Sequence, residues 1–255
     1  MSLQAALDQL PSLDMDSSYR GDCPICGGRN TFTVSRNIGG VVYNCYKNTC
    51  KVSGKSDRPI TIADLSNMKE SKAHNNADFN EPTHWVRSHP AMNEWMLQYD
   101  LNARHIDTRY DVKEDRVVFL VKKDRKIVDA TGRAVGGNTY VPKWKRYGEA
   151  QVPYVYGEGE VAVVVEDCVS ASVVGEMENL VGFGLLGTNL LAQYIDYLKP
   201  YSKIIVALDP DAKRKTLQIT STLRSTFPNV YALNLQDDIK YRMPSDMAYL
   251  RKFAG

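Results

Sequence analysis

Four cysteines near the start of the chain fall into two pairs: Cys23-Pro24-Ile25-Cys26 and, after 18 intervening residues, Cys45-x4-Cys50. Four thiolates so paired can converge on the tetrahedron that zinc prefers, and four protein ligands leave no open position, so such an ion would be structural. Gly27 and Gly28 let the chain turn tightly enough for both sulfurs of the first pair to face one ion. The second pair is wider than the usual two-residue spacing, and two disulfides or free thiols are the alternatives. Cys168 stands apart, and the adjacent Glu166 and Asp167 disfavour a thiolate there. It is expected to be a small buried residue.

A second constellation is acidic. The apolar run 161–165 leads directly into Glu166-Asp167, and the run 204–208 leads directly into Asp209-Pro210-Asp211. A lone carboxylate after a strand most often caps a helix. An Asp-x-Asp together with a Glu placed likewise on another strand is harder to explain that way. Several carboxylates at one sheet edge repel each other unless a divalent cation sits among them, and Mg²⁺ accepts such oxygens while keeping waters for exchange with phosphate. Gly187-Thr188 is either a turn with an N-cap or a loop bringing backbone N–H groups to a phosphate. Asp237-Asp238-Ile239-Lys240 and Pro244-Ser245-Asp246 offer further carboxylates after the last strand.

A third group is basic and aromatic. Between Lys113 and Arg146 ten Lys/Arg stand against four Asp/Glu, a surplus that suits a polyanion partner, a solvated charged face being the alternative. Within it, Lys143, Lys145 and Arg146 can neutralise phosphates, while Trp144 and Tyr147 offer faces for base stacking. The competing reading is an exposed strand edge guarded by lysines. Lys122, Lys123, Arg125 and Lys126 read as a charged hairpin rim. Lys213, Arg214 and Lys215 open a helix, where cations oppose the dipole, so they are either triphosphate contacts or surface charge.

The elements that must position these residues are uneven in clarity. Residues 1–58 carry a short helix over 3–10, stopped by Pro11, and two strand-like runs at 31–34 and 41–43 with hairpin chemistry in Asn37-Ile38-Gly39-Gly40. Residues 59–85 are mostly polar; beyond a short helix over 62–68 they read as a flexible linker. Residues 86–156 mix a helix over 93–99 with strands at 116–122 and 126–130. In residues 157–255, strands at 161–165, 181–185, 203–208 and 230–233 alternate with helices over 169–179, 190–198 and 213–226. This alternation predicts a parallel sheet flanked by helices. The fold class expected is therefore multi-domain α/β.

Composition narrows the field further. The 255 residues are 43% hydrophobic and 24% charged with a net charge of +2, ordinary for a globular chain and enough for a sizeable core beside a small satellite. Disorder throughout, collagen and coiled coil are excluded. The longest strongly apolar run, 161–165, is far short of the ~20 residues a membrane span needs. No basic leader followed by an apolar stretch opens the sequence, so no secretory signal is expected. Ser53-Gly54-Lys55-Ser56 lacks the earlier glycine of a phosphate-binding P-loop, Thr49 standing there, and no attached helicase motor is expected. The histidines His74, His84, His89 and His105 lack ligand spacing. No Ser-His-Asp or Cys-His arrangement suggests a protein nucleophile.

Taken in order, the ribbon cysteines, the basic middle, the Glu after one strand, the Leu186-Gly187-Thr188 loop and the Asp-x-Asp after another strand resemble the DnaG-type DNA primases. In particular they resemble the primase half of bacteriophage primase-helicases. The last hundred residues look like a Toprim domain, the metal-binding fold shared by those primases, type IA and II topoisomerases and some nucleases. The resemblance implies template-directed synthesis of short RNA primers on single-stranded DNA from NTPs, with pyrophosphate release. It implies that Glu166, Asp209 and Asp211 hold catalytic Mg²⁺ or Mn²⁺, two ions or more. Many members carry an acid four residues after the Glu, where this chain has Ser170; Asp167, Asp237, Asp238 or Asp246 would then complete the second ion's ligands. The zinc ribbon would help choose the start site, and the basic subdomain would hold template and nucleotides. A separate replicative helicase and a DNA polymerase are the implied partners, in the cytoplasm (the host's, for a phage protein). A Toprim-type nuclease and a non-catalytic zinc-ribbon binder are the competing functions.

Overall fold

In the computed structural model, the described residues are 18–37, 40–47, 49–50, 52–56, 79–136, 141–148 and 150–254. The helices expected over 3–10 and 62–68, the polar stretch 70–78, the turn residues Ile38 and Gly39, and Tyr140 and His74 lie outside them. The described residues form two compact units, 18–56 with Asn189–Gln193 and 79–188 with 194–254. Among them no helix is long and apolar enough to cross a membrane.

The first unit is a four-stranded antiparallel meander: β1 (Ser18–Gly21), β2 (Phe32–Asn37), β3 (Gly40–Cys45) and β4 (Ser53–Ser56). The buried apolar cluster of its sheet is Cys23, Phe32, Val34 and Cys45. So small a core needs a crosslink to fold. The P-loop-like Ser53–Ser56 is an edge strand paired with β3, which agrees with discounting it.

The second unit begins with another antiparallel meander, β5 (Trp85–Val86), β6 (Thr108–Asp111), β7 (Arg116–Lys123), β8 (Lys126–Ala134) and β9 (Trp144–Arg146). On β7 the alternation of a strand is explicit. Val117, Phe119 and Val121 face a core shared with Met92, Trp95 and Met96 of the helix Pro90–Leu97, while Val118 and Leu120 face Trp85 and Ala130. The linker expected over 59–85 therefore stops short of its end. Phe79 and Trp85 cover that second face, Glu81 pairs with Arg109 at 2.5 Å, and Trp85 Nε1 donates to Asp111 at 3.1 Å. Two aromatics in an otherwise polar stretch suffice to anchor it.

The remaining sheet has the order β10-β12-β11-β13-β14, from β10 (Tyr154–Tyr156), β11 (Val161–Val165), β12 (Leu180–Gly184), β13 (Lys203–Val206) and β14 (Val230–Ala232). All its pairs are parallel except β10 with β12. The expected alternation is present, with helices Cys168–Gly175 and Lys213–Arg224 as crossovers. Where a helix was expected over 190–198, only Tyr194–Leu198 is helical, and a further helix, Pro244–Ala254, ends the chain. β10 lies in the piece expected as 86–156 yet pairs with β12. One continuous core joins Phe119 and Val121 of the meander to Tyr154, Val165 and Val173, so within the second unit the meander and this sheet share one core.

The helix Cys168–Gly175 lies directly on β12. A Cβ on Gly182 would sit 1.8 Å from the Ala171 carbonyl oxygen, so only glycine permits that approach. β12 and β13 flank β11 on opposite sides. The chain thus changes direction at the carboxyl ends of β11 and β13, the crevice where open α/β sheets bind ligands.

Candidate metal centres and catalytic cleft

Two turns bring the cysteines together. In the first, Gly27 N donates to Cys23 O and Cys23 N to Gly28 O, both at 2.9 Å, with Gly27 at φ +63 in the left-handed region. In the second, Cys50 N donates to Lys47 O at 2.8 Å, which closes the wider spacing of that pair. The four sulfurs lie within 4.8 Å of one another, with Cys23–Cys50 at 3.9 Å and Cys26–Cys45 at 3.8 Å. Zn–S bonds of about 2.3 Å in a tetrahedron set sulfurs roughly 3.8 Å apart, so the donor set fits zinc. All four are free cysteines, at separations no disulfide has.

The charge on the cluster is divided unevenly. The Thr31 hydroxyl, 3.4 Å from Cys45 Sγ, helps to hold that thiol down to about 6. At Cys50 the Val52 amide favours the thiolate, but burial and the three neighbouring thiols outweigh it and push it up to about 12. A dication among the sulfurs removes that opposition.

The carboxylates gather at the sheet's switch point. β11 and β13 are adjacent and in register, Val164 opposite Val206, so Glu166 and Asp209 emerge side by side. They line a cleft of about 370 Å³ with Asp167, Gly187, Lys240 and, from the meander, Thr131, Lys143 and Trp144. Glu166 Oε1 is buried without a hydrogen-bond partner. Burial, then the charges of Asp209, Asp211 and Asp167, push Glu166 up to about 7 against a lowering contact from the Asp209 amide. Burial pushes Asp209 up to about 6; Lys240 opposes the rise and Asp238, Asp167 and Asp211 add to it. Glu166 thus carries a buried oxygen with no donor beside a second raised carboxylate, while among the described residues only the four cysteines bring three or more ligand atoms within 4.8 Å of one another. Asp211, in the short 3-10 turn Pro210–Ala212, is exposed and beside them in the chain.

These two shifts give metal-free stability a definite pH slope. From its ordinary 4.5 to about 7, Glu166 is protonated in the fold and ionised in the unfolded chain. The fold then binds more protons, and stability falls as pH rises through that window. Chemical unfolding in a chelator should show Glu166→Gln removing about 1–2 kcal/mol of the decline, a figure reduced for screening at a partly open carboxylate. An unchanged slope would mean that Glu166 is not under this strain.

The secondary acids are committed elsewhere. Asp167 caps the helix Cys168–Gly175, Oδ1 accepting from Ser170 N at 2.8 Å, and its Oδ2 lies 3.5 Å from Lys240 Nζ. Asp238 Oδ2 is ion-paired with the same ammonium. Asp237 Oδ1 accepts from the Asp238 amide, and Asp246 Oδ2 from Gln236 N at 2.9 Å. Gly187 N donates to Glu166 O at 3.0 Å, so that amide ties down the loop rather than facing a ligand, and the exposed Thr188 caps no helix. Cys168 is fully buried with its thiol pushed well up by burial, as expected of a packing residue. Of the described histidines, His89 caps the helix Pro90–Leu97 and stacks on Tyr110, His84 lies 3.3 Å from Asp111, and His105 is exposed.

The basic-aromatic stretch divides. Its residues Trp144–Arg146 form the edge strand β9, and only Lys143 and Trp144 reach the cleft. Arg146 turns to the buried Asp129 at 2.8 Å, Tyr147 donates to Asp111 at 2.9 Å, and Lys145 pairs with Glu114. Arg146 and Tyr147 therefore brace the sheet. Lys213 and Lys215 begin the helix Lys213–Arg224 and do not line the cleft. Lys240 is the cleft residue that pattern reading missed. Asp238-x-Lys240 is its only local trace, and its burial depends on Asp167 far back in the chain.

No protein-family profile and no curated protein matches this sequence. Solved structures do. The zinc-binding and RNA polymerase domains of the Aquifex aeolicus primase align with a TM-score of 0.51 at 16% identity, covering 99% of this chain and 83% of that one. The primase fragment of the bacteriophage T7 primase-helicase protein aligns at 0.49 and 13% identity, covering 92% and 98%. A DnaG primase catalytic domain bound to ssDNA aligns at 0.45 and 18%, covering 77% and 72%. With a four-cysteine cluster ahead of a mixed α/β core, the chain has the fold of a DnaG-type primase.

Proposed function

We propose that the protein is a DNA primase, a nucleotidyltransferase that builds short RNA primers on single-stranded DNA. The observation that carries this reading is the meeting of Glu166 and Asp209 at the switch point, one oxygen buried and unpartnered, in a cleft also lined by Lys143 and Trp144. Glu166, Asp209 and Asp211 would hold Mg²⁺ or Mn²⁺ in a Toprim-type site, and the thiolates of Cys23, Cys26, Cys45 and Cys50 would hold one zinc. A divalent cation so placed supplies a lowered hydroxyl pKa and neutralises charge building on the phosphates.

The reaction joins a primer 3′-oxygen to the α-phosphorus of an NTP and breaks the bond to pyrophosphate, which leaves. No protein nucleophile takes part, in keeping with a buried, protonated Cys168. Lys143 meets the phosphate charge from the meander's side of the cleft, and the half-buried Trp144 limits water on that side. The zinc ribbon reads the start site, and a separate helicase and DNA polymerase supply template and extend the primer.

Incubation with single-stranded DNA, Mg²⁺ and labelled NTPs decides the class by product size. Short RNA supports the primase, cut DNA would mean a nuclease, and neither would mean a binder. Lys143→Ala should weaken single-stranded DNA binding about 5- to 10-fold and flatten its log–log salt dependence by about 0.7. Unchanged anisotropy titrations across salt concentrations would remove Lys143 from the binding surface.

A further inference from the structure

We infer that Arg116 and Tyr147 are positioning residues for the cleft, each pinning one end of the short segment that presents Lys143 and Trp144. Neither lines the cleft itself. The inference rests on the reading that Lys143 and Trp144 face nucleic acid.

The segment is thinly held by its backbone. β9 spans only Trp144–Arg146, lies at the edge of its sheet and pairs with β8 alone. Hydrogen bonds from Ala134 N to Lys143 O at 3.1 Å and from Tyr147 N to Ala130 O at 3.0 Å extend that pairing by one residue at each end. So short an edge strand opens readily unless side chains hold it.

Side chains hold it at both ends. Ahead of Lys143, the Arg116 guanidinium, its side chain 3% exposed, donates from Nη1 to Pro142 O at 2.9 Å and to Gly132 O at 3.4 Å. Its Nε donates to Glu114 Oε2 at 3.2 Å, and Glu114 in turn pairs with Lys145 of β9. Behind Trp144, the Tyr147 hydroxyl donates to Asp111 Oδ2 at 2.9 Å, and the Trp85 ring meets the Tyr147 ring edge to face, 4.7 Å between centroids. Asp111 Oδ1 accepts from the Lys113 and Glu114 amides at 3.0 and 3.1 Å. The turn that places Glu114 therefore hangs on the same carboxylate as Tyr147. The two anchors meet over Gly132, where a Cβ would stand 2.8 Å from the Tyr147 ring and 3.3 Å from Arg116 Cδ. A buried guanidinium with two carbonyls and a carboxylate to satisfy leaves Pro142 few positions, and Lys143 follows it directly.

Amide exchange of the zinc-loaded full chain, read beside single-stranded DNA anisotropy, tests this. Arg116→Met should speed exchange across 143–147 by about tenfold or more, as the loss of a charged hydrogen bond implies, and leave β11 unchanged. A general loss of stability would speed both. The same variant should weaken single-stranded DNA binding about 5-fold. Combined with Lys143→Ala, its effect should fall well short of the product of the two single losses, because one residue acts through the other. Arg116→Lys keeps the charge without the fork that reaches three acceptors, and Tyr147→Phe keeps the ring while losing its hold on Asp111. Each should fall between the wild type and Arg116→Met in both measurements, and the two decide the matter should Arg116→Met not fold. Exchange over 143–147 that stays at the wild-type rate, or rises only along with β11, overturns the inference, as do multiplicative losses in the double variant. Weak binding by Lys143→Ala with full binding by the Arg116 and Tyr147 variants overturns the inference alone. Full binding by Lys143→Ala itself overturns the reading of Lys143 on which it stands.

Discussion

Asp209→Ala is expected to abolish primer synthesis, lowering turnover by about 10³-fold or more, since removing one preorganised electrostatic contact alone costs 10²–10³. Single-stranded DNA binding should stay within about twofold, because the basic wall is untouched. The fold should persist as well. The Asp209 backbone carbonyl, which accepts from Ala212 N at 2.9 Å, remains, and the side chain makes no hydrogen bond that alanine would break. Loss of this neighbour also relieves Glu166, whose pKa should drop toward the ordinary carboxylate range. Primer sizing on gels, with anisotropy for binding, separates the two effects. Polymerisation retained by Asp209→Ala would count decisively against the catalytic assignment.

Removal of zinc, or Cys45→Ser, should unfold the first unit and spare the second. The buried cluster of its sheet holds Phe32, Val34 and two of the cysteines, too little apolar area to offset the ordering of four strands. The binding energy of structural zinc, about 10–16 kcal/mol in small zinc-finger peptides, is folding energy in such modules. Amide exchange should therefore lose protection across β2 and β3 on chelation, while β7 and β11, whose residues are almost all buried, keep theirs. Protection that survives chelation in β2 and β3 would mean the sheet stands without metal.

How much of this was legible in the sequence depended on whether the signal was local. The run Val161–Val165 is buried along its whole length, and a continuous apolar, valine-rich stretch ending in acids announces both the strand and the carboxylates at its tip. The cysteine pairs were equally plain, since ligand type and spacing carry the geometry. β6 was missed because its four residues, Thr108, Arg109, Tyr110 and Asp111, are buried through distant partners such as Glu81, Trp85 and Tyr147. β10 was missed because it is three residues long and pairs with a strand later in the chain. The basic-aromatic stretch was visible as composition, but Asp129 and Asp111 turn Arg146 and Tyr147 inward, which no spacing rule encodes. Lys240 shows the same limit: periodicity assigns a lysine to the surface, and the ion pairs with Asp167 and Asp238 reverse that.

The account turns on whether Glu166, Asp209 and Asp211 surround a divalent ion. An anomalous difference map from a manganese-soaked crystal tests this most directly. It should contain a peak in the cleft, with carboxylate oxygens of Glu166 and Asp209 at roughly 2.1 Å, near the usual distance for a small hard dication. A cleft without a peak, or manganese bound only at surface acids elsewhere, would contradict it.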